Sequence, residues 1–113
     1  ASPVPLFTNP IPGDQIWDGF GGRCESDNDG DPIVLYDEQA NRWFISQFSV
    51  STAPYYNCIA VSQTSNPAGA YYRYAYVYSA NKMNDYPKYG VWPDGYYMTV
   101  NQFQNSTWAG RTP

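Results

Sequence analysis

DPIVLYDEQANRWFISQF, Asp31 to Phe48, reads as two short β-strands around a polar turn. Ile33 to Tyr36 is an apolar run, Asp37 to Asn41 gathers turn-forming residues, and Arg42 to Phe48 resumes with aromatic and apolar side chains. Such side chains suit a pleated, half-buried surface, and two runs of them around a short polar link predict a hairpin. The pattern returns as YPKYGVWPDGYYMTVNQF, Tyr86 to Phe103. Both stretches enter through a proline (Pro32, Pro87), pass through Val to an aromatic (Tyr36, Trp92) and carry Asp in the turn (Asp37, Asp94). Each then sets an aromatic pair before an apolar and a hydroxyl residue, Trp43-Phe44-Ile45-Ser46 and Tyr96-Tyr97-Met98-Thr99, and ends in Gln-Phe. Trp43 and Tyr96 stand 53 positions apart, and Tyr36 and Trp92 stand 56 apart. Repeats with periods of this order, built from short strands, point to β-propeller blades of four strands each.

The chain between the two copies fits that unit. Cys58 to Ser62 and Tyr71 to Tyr78 read as strands, with SNPAG, Ser65 to Gly69, as a strong turn signal. The expected blade covers about residues 32–78, and a second, partial blade about 87–103. Tyr72, Tyr74, Tyr76 and Tyr78 fall on one face of their strand because side chains alternate with period two. STAPYYN and SANKMNDYP read as breaks between strands. Ala1 to Gly13 holds four prolines, which exclude helix and remove backbone donors. Together with the Gly-rich loop after it, this predicts an extended arm over residues 1–21 and a β domain over 22–113.

Composition removes several function classes. Aromatic residues make up 19% of the 113 positions and charged residues 14%, the reverse of a disordered chain. The net charge is −4, and the six basic residues (Arg23, Arg42, Arg73, Lys82, Lys88, Arg111) are scattered, so no nucleic-acid surface is expected. No apolar run approaches the roughly 20 residues that span a bilayer. No charged n-region with an apolar h-region opens the sequence, as in a secreted chain after processing. There is no His, which excludes Ser-His-Asp and Cys-His catalysis and makes a zinc site untenable.

Cys24 and Cys58 are the two cysteines. In a reducing compartment they would be buried thiols, and in an oxidising one a disulfide closing a loop of about 35 residues. Abundant Tyr, Asn, Ser and Thr with few Lys favour the extracellular setting and the disulfide. The loop SDNDGD, Ser26 to Asp31, places Asp27, Asp29 and Asp31 at alternate positions with Glu25 close by. Alternating carboxylates around a glycine can gather the hard oxygens that calcium needs, although Gly30 comes too early for an EF-hand. The same residues also serve as an Asx-rich turn that launches a strand. The second copy has Asn84-Asp85 before Pro87 where the first has Asn28-Asp29 before Pro32, so the shared part is expected to be a strand-entry turn. Calcium is the one cofactor considered, with Asp27, Asp29 and Asp31 as its ligands, and none is required. Asn105-Ser106-Thr107 matches a glycosylation sequon at Asn105. Exposed aromatics could stack sugars, but packing between sheets or subunits competes for them. Asp85 and Asp94 are the carboxylate pair to test for a glycosidase, which needs a spacing of roughly 5–10 Å.

The segments NDGDPIVLYD, RWFISQF, CIAVSQTSNPAGAYYRY and NDYPKYGVWPDGYYMTVNQF resemble a family of secreted bacterial proteins with β-propeller-like repeats. The resemblance covers Gly22 to about Gly110. It implies an all-β architecture of antiparallel, blade-type sheets and an extracytoplasmic setting, and it implies no particular reaction. Members of that family carry several blades, whereas this chain holds about one and a half. The expectation is a non-enzymatic structural or adhesive module whose open sheet edges are completed by neighbouring chains or another extracellular protein, in the limit as a filament built by strand complementation. The alternative is part of a carbohydrate-binding or sialidase-like glycosidase propeller.

Overall fold

The structure, a computed structural model, describes residues 9–113. It is an antiparallel all-β protein with two sheets. The first, sheet A, is a four-stranded meander in the order β1-β2-β3-β4: β1 Ile33–Asp37, β2 Arg42–Ser49, β3 Tyr55–Ser62 and β4 Tyr71–Ser79. The second, sheet B, continues the meander with β5 Met83–Trp92, β6 Gly95–Gln104 and β7 Thr107–Thr112.

Alternation along these strands gives sheet A two distinct faces. One carries Leu35, Phe44, Ser46, Asn57, Ile59, Val61, Tyr72 and Tyr74, which the register sets opposite one another across the four strands. Sheet B packs on this face. Phe44 is 1% exposed and meets Tyr89 and Tyr96, each at 4.9 Å between ring centroids. Tilted aromatic pairs at this distance add attraction to the area that they bury. Polar ties cross the same interface. The Tyr96 hydroxyl donates to Asp37 Oδ2 at 2.8 Å, and fully buried Asn84 donates through Nδ2 to Asn57 Oδ1 at 2.5 Å. Buried amides need such partners, so this pair fixes where β5 crosses β3.

The other face of sheet A carries Val34, Tyr36, Trp43, Ile45, Tyr56, Cys58, Ala60, Tyr71 and Arg73. The chain before β1 packs over the middle of this face, on β3 with its neighbours β2 and β4. Gly13–Trp17 forms a 3-10 helix and Arg23–Ser26 a single helical turn. Trp17 and Cys24 are buried there with Cys58 and Ala60, and Ile16, Phe20, Ile45, Tyr56 and Tyr71 pack around them. Cys24 and Cys58 form a disulfide, with 5.7 Å between Cα atoms. Arg73 reaches across from β4 to donate to the carbonyls of Ile16 and Asp18.

Several expectations are corrected. The extended arm does not run to residue 21. Residues 1–8 lie outside the described residues, and from Gly13 the chain is helical and ends in a buried Trp. Glycines at Gly21 and Gly22 take φ of 85° and 70°, which lets the chain turn sharply into the helical turn that carries Cys24. STAPYYN is only partly a break, because β3 starts at Tyr55. SANKMNDYP is not a loop beyond Lys82. β5 starts at Met83 and absorbs Tyr86-Pro87 as a bulge, with Tyr86 at φ 51°. Asn84-Asp85 is therefore inside a strand, whereas Asn28-Asp29 precedes one, and the two do not share a strand-entry turn. The second sheet gains a third strand, β7, joined to β6 by the two-residue turn Asn105-Ser106. Both turn residues have positive φ, 49° and 61°, the geometry of a tight hairpin that Asn tolerates.

Candidate functional site

The acidic loop is tied to the end of β2 by its carboxylates. Asp27 accepts from the Ser49 hydroxyl at 2.5 Å and from Arg23 Nε at 3.0 Å. Asp29 Oδ2 accepts the backbone amides of Val50 and Ser51 at 2.6 and 2.8 Å, and Oδ1 takes the Ser51 hydroxyl. Glu25 Oε2 accepts the Gly21 amide. The bond from Ser49, with Ser26 and Arg23 in support, holds the Asp27 carboxyl below its ordinary range against the opposing effect of burial. Burial also works against Asp29, but the Ser51 hydroxyl and the Val50 and Ser51 amides outweigh it, so its pKa is lowered too. Gly30 and Asp31 both take positive φ, 105° and 46°, and turn the chain into β1. Among the described residues, no three His, Cys, Asp or Glu side chains converge as a metal-binding group. What Asp27 and Asp29 do in this geometry is strap the loop to β2 and the 49–51 turn.

That role has a measurable consequence. Asp29→Ala is expected to lower stability by about 1 kcal/mol, the modest end for bonds to a charged group in contact with water. The loss should be the same in calcium and in chelator. A chelator-dependent fall in the melting temperature of the wild-type chain would instead assign the loop to an ion.

Asp37 closes the β1–β2 turn. Its Oδ1 accepts the amides of Gln39 and Ala40, each at 3.0 Å, and its Oδ2 takes Tyr96. The Ala40 amide first, and then the Tyr96 hydroxyl, lower its pKa. Tyr96 moves the other way, pushed up to about 12 by burial and by its bond to Asp37. The signs follow from linkage. Carboxylates with lowered folded pKa values stabilise the fold above the unfolded value, about 3.9, and lose that contribution as pH falls through the folded values. A tyrosine with a raised folded pKa stabilises below its unfolded value, about 10, and loses that contribution as pH rises through about 12. Stability should be flat between about pH 5 and 9 and fall on both sides. Tyr96→Phe should blunt the alkaline fall and raise the Asp37 pKa seen by NMR titration. An unchanged Asp37 titration in Tyr96→Phe would mean that the pair does not couple the sheets.

Two surfaces stand open. Beside the A–B contact lies a groove of about 720 Å³, lined by Phe44, Ile59, Tyr72, Tyr74, Tyr76, Tyr89, Tyr96 and Met98 among others. Tyr72, Tyr74 and Tyr76 keep the expected alternation and are exposed, with the rings of Tyr74 and Tyr76 stacked at 6.0 Å. Tyr78 lines the same groove but is half-buried, next to a register irregularity opposite Tyr55 and Tyr56. The second surface is a cavity of about 560 Å³ on the opposite face of sheet A, between Ile11–Gln15, Pro32, Val34, Ile45 and Pro67–Tyr71.

The remaining sequence candidates separate in space. Asp85 lies near the start of β5 and Asp94 in the turn after its end. Six residues separate Asp85 from Trp92, and the regular run Lys88–Trp92 alone spans about 13 Å, so the two carboxylates do not flank one bond as a glycosidase requires. Asn105 sits exposed at the tip of the β6–β7 turn, where an attached glycan would point into solvent. Of the four tryptophans, Trp17 is buried, Trp43 is half-buried beside Tyr36, and Trp92 and Trp108 are exposed on sheet B. Sequence reasoning missed the Asp37–Tyr96 and Asn57–Asn84 ties. Neither has a local signature, since the partners are 59 and 27 positions apart. No helix among the described residues is long and apolar enough to cross a membrane. Comparison with protein-family models, curated proteins and solved structures finds no match to this chain.

Proposed function

We propose that this chain is an extracellular structural or adhesive module that associates with further copies of itself through open sheet edges. The observation that carries this reading is β4. It is the outer strand of sheet A, nine residues long, and among the described residues nothing pairs with its outer side. Soluble proteins protect such edges with prolines, bulges, charges or short strands. The other edges follow that rule. β1 has five residues, β5 carries the Tyr86-Pro87 bulge and Lys88, and β7 has six residues interrupted by Gly110. β4 has no proline, its one register irregularity lies at its end, at Tyr78, and its single charge, Arg73, is turned toward the carbonyls of Ile16 and Asp18. Its exposed Tyr72, Tyr74 and Tyr76 offer an incoming strand a ready aromatic row.

The disulfide and the hydroxyl- and amide-rich composition support an oxidising, extracellular setting. The four-stranded meander with a second meander packed on its face supports a relation to propeller blades. Sedimentation across a wide concentration range tests the reading. Mass should rise with concentration in the wild type, and Tyr74→Lys, which adds a charge to the edge, should suppress the rise. A monomer at every concentration would refute it.

A second reading is favoured by the groove itself. An aromatic trough of about 720 Å³ with Asn57 on its wall suits the apolar faces and hydroxyls of a saccharide. Quenching of tyrosine fluorescence by a panel of oligosaccharides, lost in Tyr74→Ala, would support this reading over strand addition.

A further inference from the structure

The internal repeat carries a consequence that follows from hairpin register. In sheet A the pairs are Val34↔Ile45, Leu35↔Phe44 and Tyr36↔Trp43. In sheet B they are Tyr89↔Met98, Gly90↔Tyr97 and Val91↔Tyr96. The strands correspond row by row, with the shorter β5–β6 turn taking up the difference. Tyr97 therefore stands where Phe44 stands in the first copy, Tyr96 where Trp43 stands, and Tyr89 where Val34 stands.

Within the chain, Phe44 of sheet A is buried against Tyr89 and Tyr96 of sheet B. Translated by one repeat, the same contact sets Tyr97 of one chain against Val34 and Trp43 of another. Tyr97 and Val34 of that translated contact are exposed here, and Trp43 is half-buried. Tyr97 and Val34 are each 55% exposed, whereas Phe44, the equivalent of Tyr97, is 1% exposed. Trp92, beside Tyr97 on sheet B, is 69% exposed, and Tyr36, beside Val34 on sheet A, is also exposed. Coverage of sheet A agrees with this. The segment carrying Trp17 and Cys24 lies over Cys58 and Ala60, reaches Ile45 and is held by Arg73, so it is centred on β3 and extends to β2. Among the described residues Ile11–Gln15 border Val34 and Ile45 only across the 560 Å³ cavity, so Val34 and Tyr36 in the β1–β2 half stay exposed, and this half corresponds to the β5–β6 half that Phe44 uses inside the chain.

We propose that copies of this chain stack head to tail, with the outer face of sheet B around Tyr97 seated on the β1–β2 half of the next copy's sheet A around Val34. The packing repeats the one that already joins sheet A to sheet B. The inference rests on the self-association reading but names a face contact, and β4, at the opposite edge of sheet A from β1, stays free for strand addition. The two faces differ, so the contact is heterologous and propagates as a filament unless its rotation closes a ring.

Cross-linking tests the pairing on the full chain with its native disulfide intact. Packed sheets lie about 10 Å apart, so a bis-maleimide of about that span should join Val34→Cys protein to Tyr97→Cys protein when the two are mixed. Neither variant alone should give a dimer. Val34→Glu and Tyr97→Glu should each weaken association at least tenfold in sedimentation, with melting temperatures unchanged because both residues are exposed. If the wild type associates but the glutamate variants match it and the mixed cysteines do not react, the face contact is wrong while self-association stands. If the wild type stays monomeric at every concentration, both fail. Homotypic cross-links in either cysteine variant alone would replace the head-to-tail contact by a symmetric one. Mixed cross-links that form only after removal of residues 1–8 would place the chain's own N-terminal segment on the Val34 face and overturn the proposal for the intact chain.

Discussion

Phe44→Ala should cost about 3–5 kcal/mol, the range for removing a fully buried aromatic ring. Phe44 is the ring at which the two sheets meet, in contact with both Tyr89 and Tyr96. The cavity it would leave adjoins an existing groove, so water can enter and the sheets can part instead of collapsing inward. Few other large side chains are fully buried, so little is left to compensate. Denaturant unfolding measures the loss, and the Tyr96–Asp37 bond gives a local readout. In Phe44→Ala, Asp37 should titrate closer to an ordinary carboxylate because Tyr96 no longer holds its position. A loss below about 1 kcal/mol would show that the polar ties, Asn57–Asn84 and Asp37–Tyr96, hold the sheets without the aromatic contact.

Cys24→Ala together with Cys58→Ala should cost about 3–4 kcal/mol, the loop-closure value for a bridge across 34 positions. The structure adds a local prediction. The bridge joins the centre of sheet A to the segment that carries Trp17, and Trp17 is fully buried there. Without the bridge that segment is held by packing, by the bonds from Arg73, and by the straps through Asp27 and Asp29. Trp17 should therefore become solvent-exposed before sheet B unfolds. This would be seen as a red-shifted emission at denaturant concentrations where the far-UV strand signal is still native. Simultaneous loss of both signals at the wild-type midpoint would show that the bridge adds nothing to packing.

The polar straps and the disulfide act on the same segment, so their effects should not add. Asp29→Ala in the disulfide-free background should cost more than the roughly 1 kcal/mol expected with the bridge intact. With the bridge in place, Cys24 keeps the loop near β2 even when the carboxylate is gone.

Most strand-forming runs and the cysteine pair are legible in the amino-acid order. Alternation in RWFISQF and YYRYAYVY, with turn residues at Asp37–Asn41 and Ser65–Gly69, is local information that a strand and a hairpin read directly. Where local signals were mixed, the boundaries moved. Pro87 hid the first half of β5 because a bulge can carry a proline that a regular ladder cannot. β7 escaped notice because Gly110 interrupts a six-residue run. What covers each face depends on long-range packing. Period two says that Tyr72, Tyr74 and Tyr76 share a face, as do Cys58 and Ala60, but both rows are consistent with burial. The N-terminal helical segment folding onto Cys58 and Ala60, through a glycine turn and a disulfide, made that row the core. Sheet B, crossing the other face at Phe44, covered part of it and left the tyrosine row beside an open groove. The partners of the acidic loop were decided in the same way. Its spacing fits turn residues as well as calcium ligands, and only the approach of Ser49, Val50 and Ser51 gave two of its carboxylates hydrogen-bond partners. Burial and long-range pairing depend on which segments meet, and that depends on the summed packing of the whole chain, so no short window of sequence encodes it.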